Sequence, residues 1–129
     1  MTERGYDITG YDPYVEKYAN IAPLNASYDA AMCIYVLNTI PDVDTRLSVV
    51  STCLSLAPRL LLSVRNDARA IKRNCVPYGD GYITGTNTFQ KVYTAESLAH
   101  ELAMLPVTFE ILLDDLTTIN AVVMPDRSL

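Results

Sequence analysis

The sequence has no tryptophan, a single histidine, and only ten basic residues against fifteen acidic ones, a net charge of −5 at pH 7. This acidic balance argues against general binding to nucleic acid through overall charge. No run approaches the roughly 18 consecutive apolar residues that a membrane-spanning helix needs, so we expect no membrane segment. The first residues lack the basic-then-apolar order of a signal peptide, and we expect a cytoplasmic protein.

The few cysteines and glycines exclude further kinds of site. Cys33, Cys53 and Cys75 have no metal-type spacing, and their odd number leaves no complete set of disulfides, as in proteins of a reducing compartment. We therefore predict no metal site. None of the five glycines belongs to a strand-to-helix G-x-G turn that would cradle a phosphate. The histidine, His100, lies within a predicted helix, and we interpret it as structural or exposed rather than as a general base.

The apolar stretch Ala30–Leu37 is the feature around which the chain is organised. Half of the 129 residues are hydrophobic, which is enough for one domain, residues 1–129, with a single core. A continuous apolar run with turn residues on both sides predicts a parallel strand that is buried on both faces and ends at Asn38. In open α/β sheets the carboxyl ends of such strands are where ligands bind.

The residues that follow predict a strand–helix–strand unit. Residues 42–57 place apolar side chains every three to four positions, which indicates a helix with Asp42 as its N-cap. Leu60–Val64 then has the composition of a second buried strand, and this order requires parallel pairing through a right-handed crossover. Between residues 67 and 88 the pattern is irregular, and we predict a lid or a small hairpin around Gly79–Gly85. The other predicted elements are a strand at Tyr6–Tyr11, a helix from Pro13 to about Ala19, a helix from Thr94 to about Leu105, and an antiparallel hairpin of Val107–Leu113 and Ile119–Met124.

Two polar positions follow predicted strands. Asp12, directly after the Tyr6–Tyr11 strand, has the position of a carboxylate that accepts hydrogen bonds from ribose hydroxyls, or of a helix N-cap. Asn38-Thr39, with Tyr35 close by, faces a substrate cleft or satisfies the backbone of the strand-to-helix turn. Both alternatives stay open for each position.

Two further groups of residues are candidates for binding. The segment from Thr86 to Lys91, together with Asp80 and Arg65, predicts either polar groups that clamp a ligand or hydrogen bonding within a loop. Four basic residues, Arg65, Arg69, Lys72 and Arg73, are concentrated in nine positions. They form either a solvated basic surface or a local patch that contacts phosphate.

Four segments, GYDITGYDP, YDAAMCIYVLNTIPD, LAPRLLLSVR and GTNTFQKVYT, resemble successive parts of class I S-adenosylmethionine (SAM)-dependent methyltransferases. The likeness is in particular to methyltransferases associated with bacterial DNA phosphorothioation and to their phage relatives. It implies an α/β, three-layer Rossmann-like fold, here with a partial, mostly parallel sheet of about five strands and a C-terminal antiparallel strand. Ala30–Leu37 would be the family's fourth strand and Arg59–Val64 its fifth.

The resemblance also implies a cofactor and two sets of site residues. SAM would be bound with Asp12 on its ribose and with Tyr11 and Tyr35 nearby. The methyl acceptor would lie on the other side of the cleft. No catalytic residue is implied, because methyl transfer needs little beyond orientation of the reactants. The residues that would face the acceptor are Asn38, Thr39, Arg65, Gln90 and Lys91.

The chain departs from the family at its N-terminus. The family's first strand and its glycine-rich cofactor loop should precede Gly5, where only Met1–Arg4 stands, so we expect an N-terminally truncated domain. Without that strand an apolar sheet edge is left open, and we expect a homo-oligomer or a partner chain to cover it and to complete the cofactor site. The alternatives are a non-catalytic binding or inhibitory protein of the same fold, for example one encoded by a phage, and a nucleic-acid-binding module that uses the basic patch.

Overall fold

The computed structural model describes residues 9–11, 26–67 and 74–126. The predicted helix from Pro13 to Ala19 lies outside these ranges, and so does the predicted strand Tyr6–Tyr11 except for residues 9–11, which form no strand. The described elements are β1 (Ala31–Ile34), a 3-10 turn (Leu37–Thr39), α1 (Val43–Leu56), β2 (Leu60–Arg65), β3 (Val76–Tyr78), β4 (Gly81–Ile83), β5 (Phe89–Gln90), α2 (Ala95–Leu102), β6 (Val107–Asp114) and β7 (Thr118–Pro125).

Four strands form the main sheet in the order β1-β2-β7-β6. The predicted parallel pairing of β1 with β2 is confirmed, with Ala31 opposite Leu60 and Cys33 opposite Leu62. The prediction of a mostly parallel sheet of about five strands is wrong for the described residues. The hairpin formed by β6 and β7 is antiparallel, as predicted, but it places β7 between β2 and β6, so two of the three pairings are antiparallel.

The hairpin between β6 and β7 turns where the two adjacent aspartates predict it. A carboxylate oxygen of Asp115 accepts hydrogen bonds from the backbone N–H groups of Thr117 and Thr118, both at 2.9 Å. These bonds satisfy donors that the turn would otherwise leave unpaired.

The first strand is shorter and less buried than its apolar run predicts. It ends at Ile34 rather than at Leu37, because Tyr35 adopts a left-handed backbone conformation with φ of 58°. Met32 and Ile34 are 48% and 47% exposed, so the strand is buried on one face only. Among the described residues β1 pairs with β2 alone, which makes it an edge strand.

Both described helices pack on the same face of the main sheet. That face consists of alternate residues of β2 and their partners on β7, such as Leu60 opposite Val123 and Leu62 opposite Ala121. Val50 of α1 and Leu98 of α2 fill the core against them. The described part therefore has two layers, one of helices and one of strands. The predicted third layer, over the opposite face of the sheet, is not present among the described residues.

Each helix begins at its predicted cap. Asp42 accepts a hydrogen bond from the N–H of Thr45 at 3.1 Å and precedes α1. Thr94 and Ser97 form a reciprocal capping box at the start of α2, which ends at Leu102, earlier than the predicted Leu105. In the described part of the chain no helix is long and apolar enough to cross a membrane.

The predicted hairpin around Gly79–Gly85 is present as part of a second, three-stranded sheet in the order β3-β4-β5. Gly79 supplies the positive φ, +57°, that the turn between β3 and β4 requires. At Gly81 a side chain would collide with the ring of Phe89 and with the carbonyl oxygen of Gln90, so a glycine is needed where β4 meets β5. Gln90 is the last residue of β5 in this small sheet, and Lys91 follows it directly.

Candidate functional site

A cleft of about 400 Å³ lies at the carboxyl ends of β1 and β2. In this cleft the structure brings together six residues that the sequence marked as site candidates, and they come from three separate segments of the chain. It adds Asp67 and Val92, which the sequence did not single out. The six are Tyr35, Asn38, Thr39, Arg65, Gln90 and Lys91.

Tyr35 forms the exposed side of the cleft. Its hydroxyl and the hydroxyl of Thr118 are 2.7 Å apart, and the Arg65 guanidinium carbon lies 5.6 Å from the centre of its ring. A bulky residue with positive φ costs about 1–3 kcal/mol, and such conformations are concentrated at binding sites. The turn thus presents the Tyr35 ring, 40% exposed, at the end of the strand rather than within it.

Asn38 forms the floor of the cleft and is almost completely buried. Its side-chain amide donates to the Gln90 side-chain oxygen at 3.2 Å, and its backbone oxygen accepts from the N–H of Lys91 at 2.8 Å. Its own side-chain oxygen has no hydrogen-bond partner among the residues that the structure describes. Asn38 therefore joins the turn after β1 to strand β5 and the residue that follows it. It lines the cleft, as one of the two sequence interpretations expected, but its hydrogen bonds go to Gln90 and Lys91.

The candidate threonines Thr39, Thr86 and Thr88 form hydrogen bonds with groups close to them in the sequence. The Thr39 hydroxyl donates to the carbonyl oxygen of Val36 at 2.7 Å. In the loop before β5, the hydroxyls of Thr84, Thr86 and Thr88 bond to one another at 2.7–3.5 Å. For Thr86 and Thr88 the structure thus shows hydrogen bonding within the loop, and neither lines the cleft.

A buried charged network lies behind the cleft. The Arg46 side chain is fully buried; its guanidinium contacts Asp80 at 2.5 Å and Glu101 at 3.1 Å and donates to the Ile40 carbonyl oxygen at 3.0 Å. The Tyr93 hydroxyl donates to Glu101 at 2.7 Å. This network joins α1, α2 and the turn between β3 and β4.

Lys91 connects this network to the cleft. Its ammonium group lies 3.1 Å from Asp80 and 4.9 Å from the centre of the Tyr93 ring, and its side chain is 11% exposed. It lines the cleft and also a second cavity of about 560 Å³ beside α2. The second cavity includes His100, which is exposed, as predicted.

Burial and neighbouring polar groups together shift the pKa values of Asp80 and Tyr93. Burial opposes ionisation of Asp80, but hydrogen bonds from Arg46 and Lys91 outweigh it and hold the pKa of Asp80 below its ordinary value. A group with a lowered pKa contributes stability above its unfolded pKa and loses it as the pH falls through its folded pKa. The ion pair is therefore intact at neutral pH. Burial, with the Glu101 contact, raises the pKa of Tyr93, which stays a neutral donor.

The sequence did not mark Arg46, Glu101 or Tyr93 as members of a site. One signal was available for Arg46: it stands three residues after Val43 and four before Val50, within the apolar stripe of the helix. A charged residue in such a stripe indicates a buried partner. The stripe does not indicate which residues are the partners, because Asp80 and Glu101 are distant in the sequence.

Of the cofactor residues that the resemblance implies, the described part of the chain shows Tyr11 and Tyr35. Tyr35 lines the cleft, Tyr11 is 39% exposed and does not line it, and Asp12 lies outside the described residues. Of the basic patch, only Arg65 is described; Arg69, Lys72 and Arg73 lie outside the described ranges. Within those ranges no group of His, Cys, Asp or Glu residues could hold a metal ion.

Comparison of the structure with solved structures identifies similar folds. The chain is similar to DhpI in complex with SAH (TM-score 0.51, 13% identity, 81% of this chain and 52% of DhpI covered). It is also similar to DhpI in complex with SAM and HEP (TM-score 0.50, 12% identity, 80% and 55% covered). The chain thus has a fold similar to that of DhpI and spans about half the length of the DhpI chains it matches. No family model and no curated protein matches the sequence.

Proposed function

We propose that this chain is a SAM-binding, methyltransferase-like domain whose cleft at the carboxyl ends of β1 and β2 receives the methyl acceptor. The observation that carries the proposal is the position of the cleft. It lies where α/β sheets bind their ligands, in a fold similar to that of a protein solved with SAM and with SAH. SAM would supply the methyl group, and the chain would hold and orient the two reactants.

The cleft residues suit the orientation of a polar acceptor. Gln90 and Lys91 offer donors from one wall, and Arg65 and Tyr35 offer a cation and an aromatic ring from the other. Holding an acceptor in a reactive geometry accounts for much of the catalytic effect in such transfers. On the cofactor side, Tyr35 is available to contact a base or sugar, and Asp12 is the proposed ribose ligand.

We further propose that a partner chain or a second copy covers the outer edge of β1 and completes the cofactor site. Met32 and Ile34 on this edge strand are about half exposed and are not covered by α1 or α2. An open apolar edge favours pairing with another strand.

Calorimetric titration of the purified chain with SAM and SAH tests the cofactor proposal. We expect micromolar binding that Asp12→Ala weakens at least tenfold, because a carboxylate that accepts two ribose hydroxyls loses both bonds at once. Asp29→Ala, at an exposed aspartate before β1, is the matched control and should bind like the wild type. Absence of heat up to millimolar SAM and SAH would refute cofactor binding by the chain alone.

The exposed apolar side chains on the β1 edge also suit a second candidate, a non-catalytic binding or inhibitory protein with the same fold. Such a protein would bind its partner through the β1 edge without binding SAH. Sedimentation of the chain with and without SAH distinguishes the two candidates, because only the first predicts that SAH binds to the assembled species.

Arg65 is exposed at the cleft, and an exposed cation there suits a nucleic acid as the methyl acceptor. If the basic patch contacts phosphate, the chain should retard DNA or RNA in a gel at low salt, and Arg69→Glu with Lys72→Glu should abolish the shift. Raising the salt concentration should weaken it steeply, since phosphate contacts release counterions. A shift that the double variant leaves unchanged would remove the patch from consideration.

A further inference from the structure

One wall of the cleft is carried by the small sheet. Strand β5 pairs with β4, with Gln90 opposite Tyr82, and the chain then continues through Lys91 into the cleft. On the cleft side, Gln90 and Lys91 each make one hydrogen bond with Asn38, and just after them the N–H of Tyr93 donates to the carbonyl oxygen of Arg65 at 2.9 Å. The position of Gln90 and Lys91 thus depends on what else fixes the small sheet.

The small sheet itself is attached through Asp80, in the turn between β3 and β4. Its two carboxylate oxygens accept from the Arg46 guanidinium at 2.5 and 3.3 Å, and one of them also lies 3.1 Å from the Lys91 ammonium. Arg46 in turn is fixed by Glu101 and by the carbonyl oxygen of Ile40, just after the turn that carries Asn38. Asp80 therefore contacts both the buried network and the cleft wall.

We infer that Asp80 is a positioning residue for the cleft, which fixes the small sheet to α1 and holds the Lys91 ammonium at the boundary of the cleft. The inference rests on the proposed function only in taking this cleft as the acceptor site. Asp80 touches no reactant; it acts through Lys91.

The charges explain why one carboxylate has this effect. Arg46 and Lys91 are both cations, and Asp80 is the anion between them, so its removal takes away the group that draws Lys91 toward the buried network. Arg46 keeps Glu101 and Ile40 as partners. Lys91 keeps the Tyr93 ring but loses its carboxylate. The expected change is therefore local to the cleft wall.

The reactivity of the Lys91 amine measures this directly. The protein is treated with limiting acetic acid N-hydroxysuccinimide ester, and acetylation is quantified by mass spectrometry at Lys91 relative to Lys17 and Lys72, the only other lysines in the chain. We expect Asp80→Asn to raise the relative rate at Lys91 roughly fivefold, the effect of losing one partly exposed ion pair. Asp29→Asn is the matched control and should leave the ratio unchanged, and Asp80→Glu should restore much of the protection.

A relative rate at Lys91 that is equal in wild type and Asp80→Asn would overturn the inference. Should Asp80→Asn fail to fold, the wild type gives the answer, because 1 M salt screens the partly exposed contact and should selectively accelerate Lys91. A wild-type ratio that salt leaves unaltered would then overturn the inference. Neither measurement uses SAM or an acceptor. A failure of the Asp80 inference is therefore distinguishable from a failure of the proposed function, which the titration with SAM and SAH tests.

Discussion

Replacing Arg46 by methionine is expected to lower the free energy of unfolding by about 3–5 kcal/mol, a large fraction of a domain's stability. The Arg46 side chain is fully buried and is the cation shared by Asp80 and Glu101. Methionine fills a similar volume but leaves Glu101 in the interior with the Tyr93 hydroxyl as its remaining described partner. An uncompensated buried carboxylate is costly, and breaking one side of a buried pair costs more than the pair contributes.

Urea unfolding followed by circular dichroism measures this effect as a lower midpoint with an unchanged slope. Arg59→Met is the matched control: Arg59 is exposed just before β2 and should lose little. Adding Glu101→Gln to Arg46→Met should recover part of the lost stability, because the stranded charge is then removed as well. A loss below about 1 kcal/mol for Arg46→Met would mean that the two carboxylates do not depend on Arg46.

Leu62→Ala is expected to cost about 2–5 kcal/mol. Leu62 is fully buried in β2, with Cys33 of β1 beside it on one side and Ala121 of β7 on the other. The central position leaves the surrounding strands little freedom to close the resulting cavity, and a residual cavity adds to the loss of apolar burial.

The neighbouring residue provides the control. Leu61 points to the opposite face of the same strand and is only half-buried, so Leu61→Ala should cost clearly less than Leu62→Ala when both are measured by urea unfolding. Equal losses would contradict the one-sided burial of the sheet. In an assembly that covers the β1 edge and this face, the cost of Leu61→Ala should rise with protein concentration, whereas that of Leu62→Ala should not.

The sequence predicted those parts of the fold that depend on local pattern. Capping by Asp42 and Thr94 and the periodicity of α1 follow from neighbouring residues, and the parallel pairing of β1 with β2 follows from the strand–helix–strand order. The candidate cleft was predictable for a related reason. Adjacent parallel strands end at the same edge of a sheet, so Tyr35 and Arg65 had to lie near each other.

What the sequence missed depends on contacts between distant residues or on a single dihedral angle. The apolar run through Leu37 gave no sign that Tyr35 would turn left-handed and end the strand at Ile34. Burial on both faces was inferred from that same run, although an edge strand can be equally apolar. The partnership of Arg46 with Glu101 joins two helices and has no local signature.

The insertion of β7 beside β2 has a consequence for how this protein folds. The register sets Leu60 opposite Val123, so the inner strand of the sheet finds its second neighbour only after Thr118–Pro125 has been synthesised. Such non-local pairing slows folding, because the chain loses loop entropy before the contact is gained. Until then β2 lacks its partner on that side, and we expect this unpaired strand edge to favour aggregation of the nascent chain.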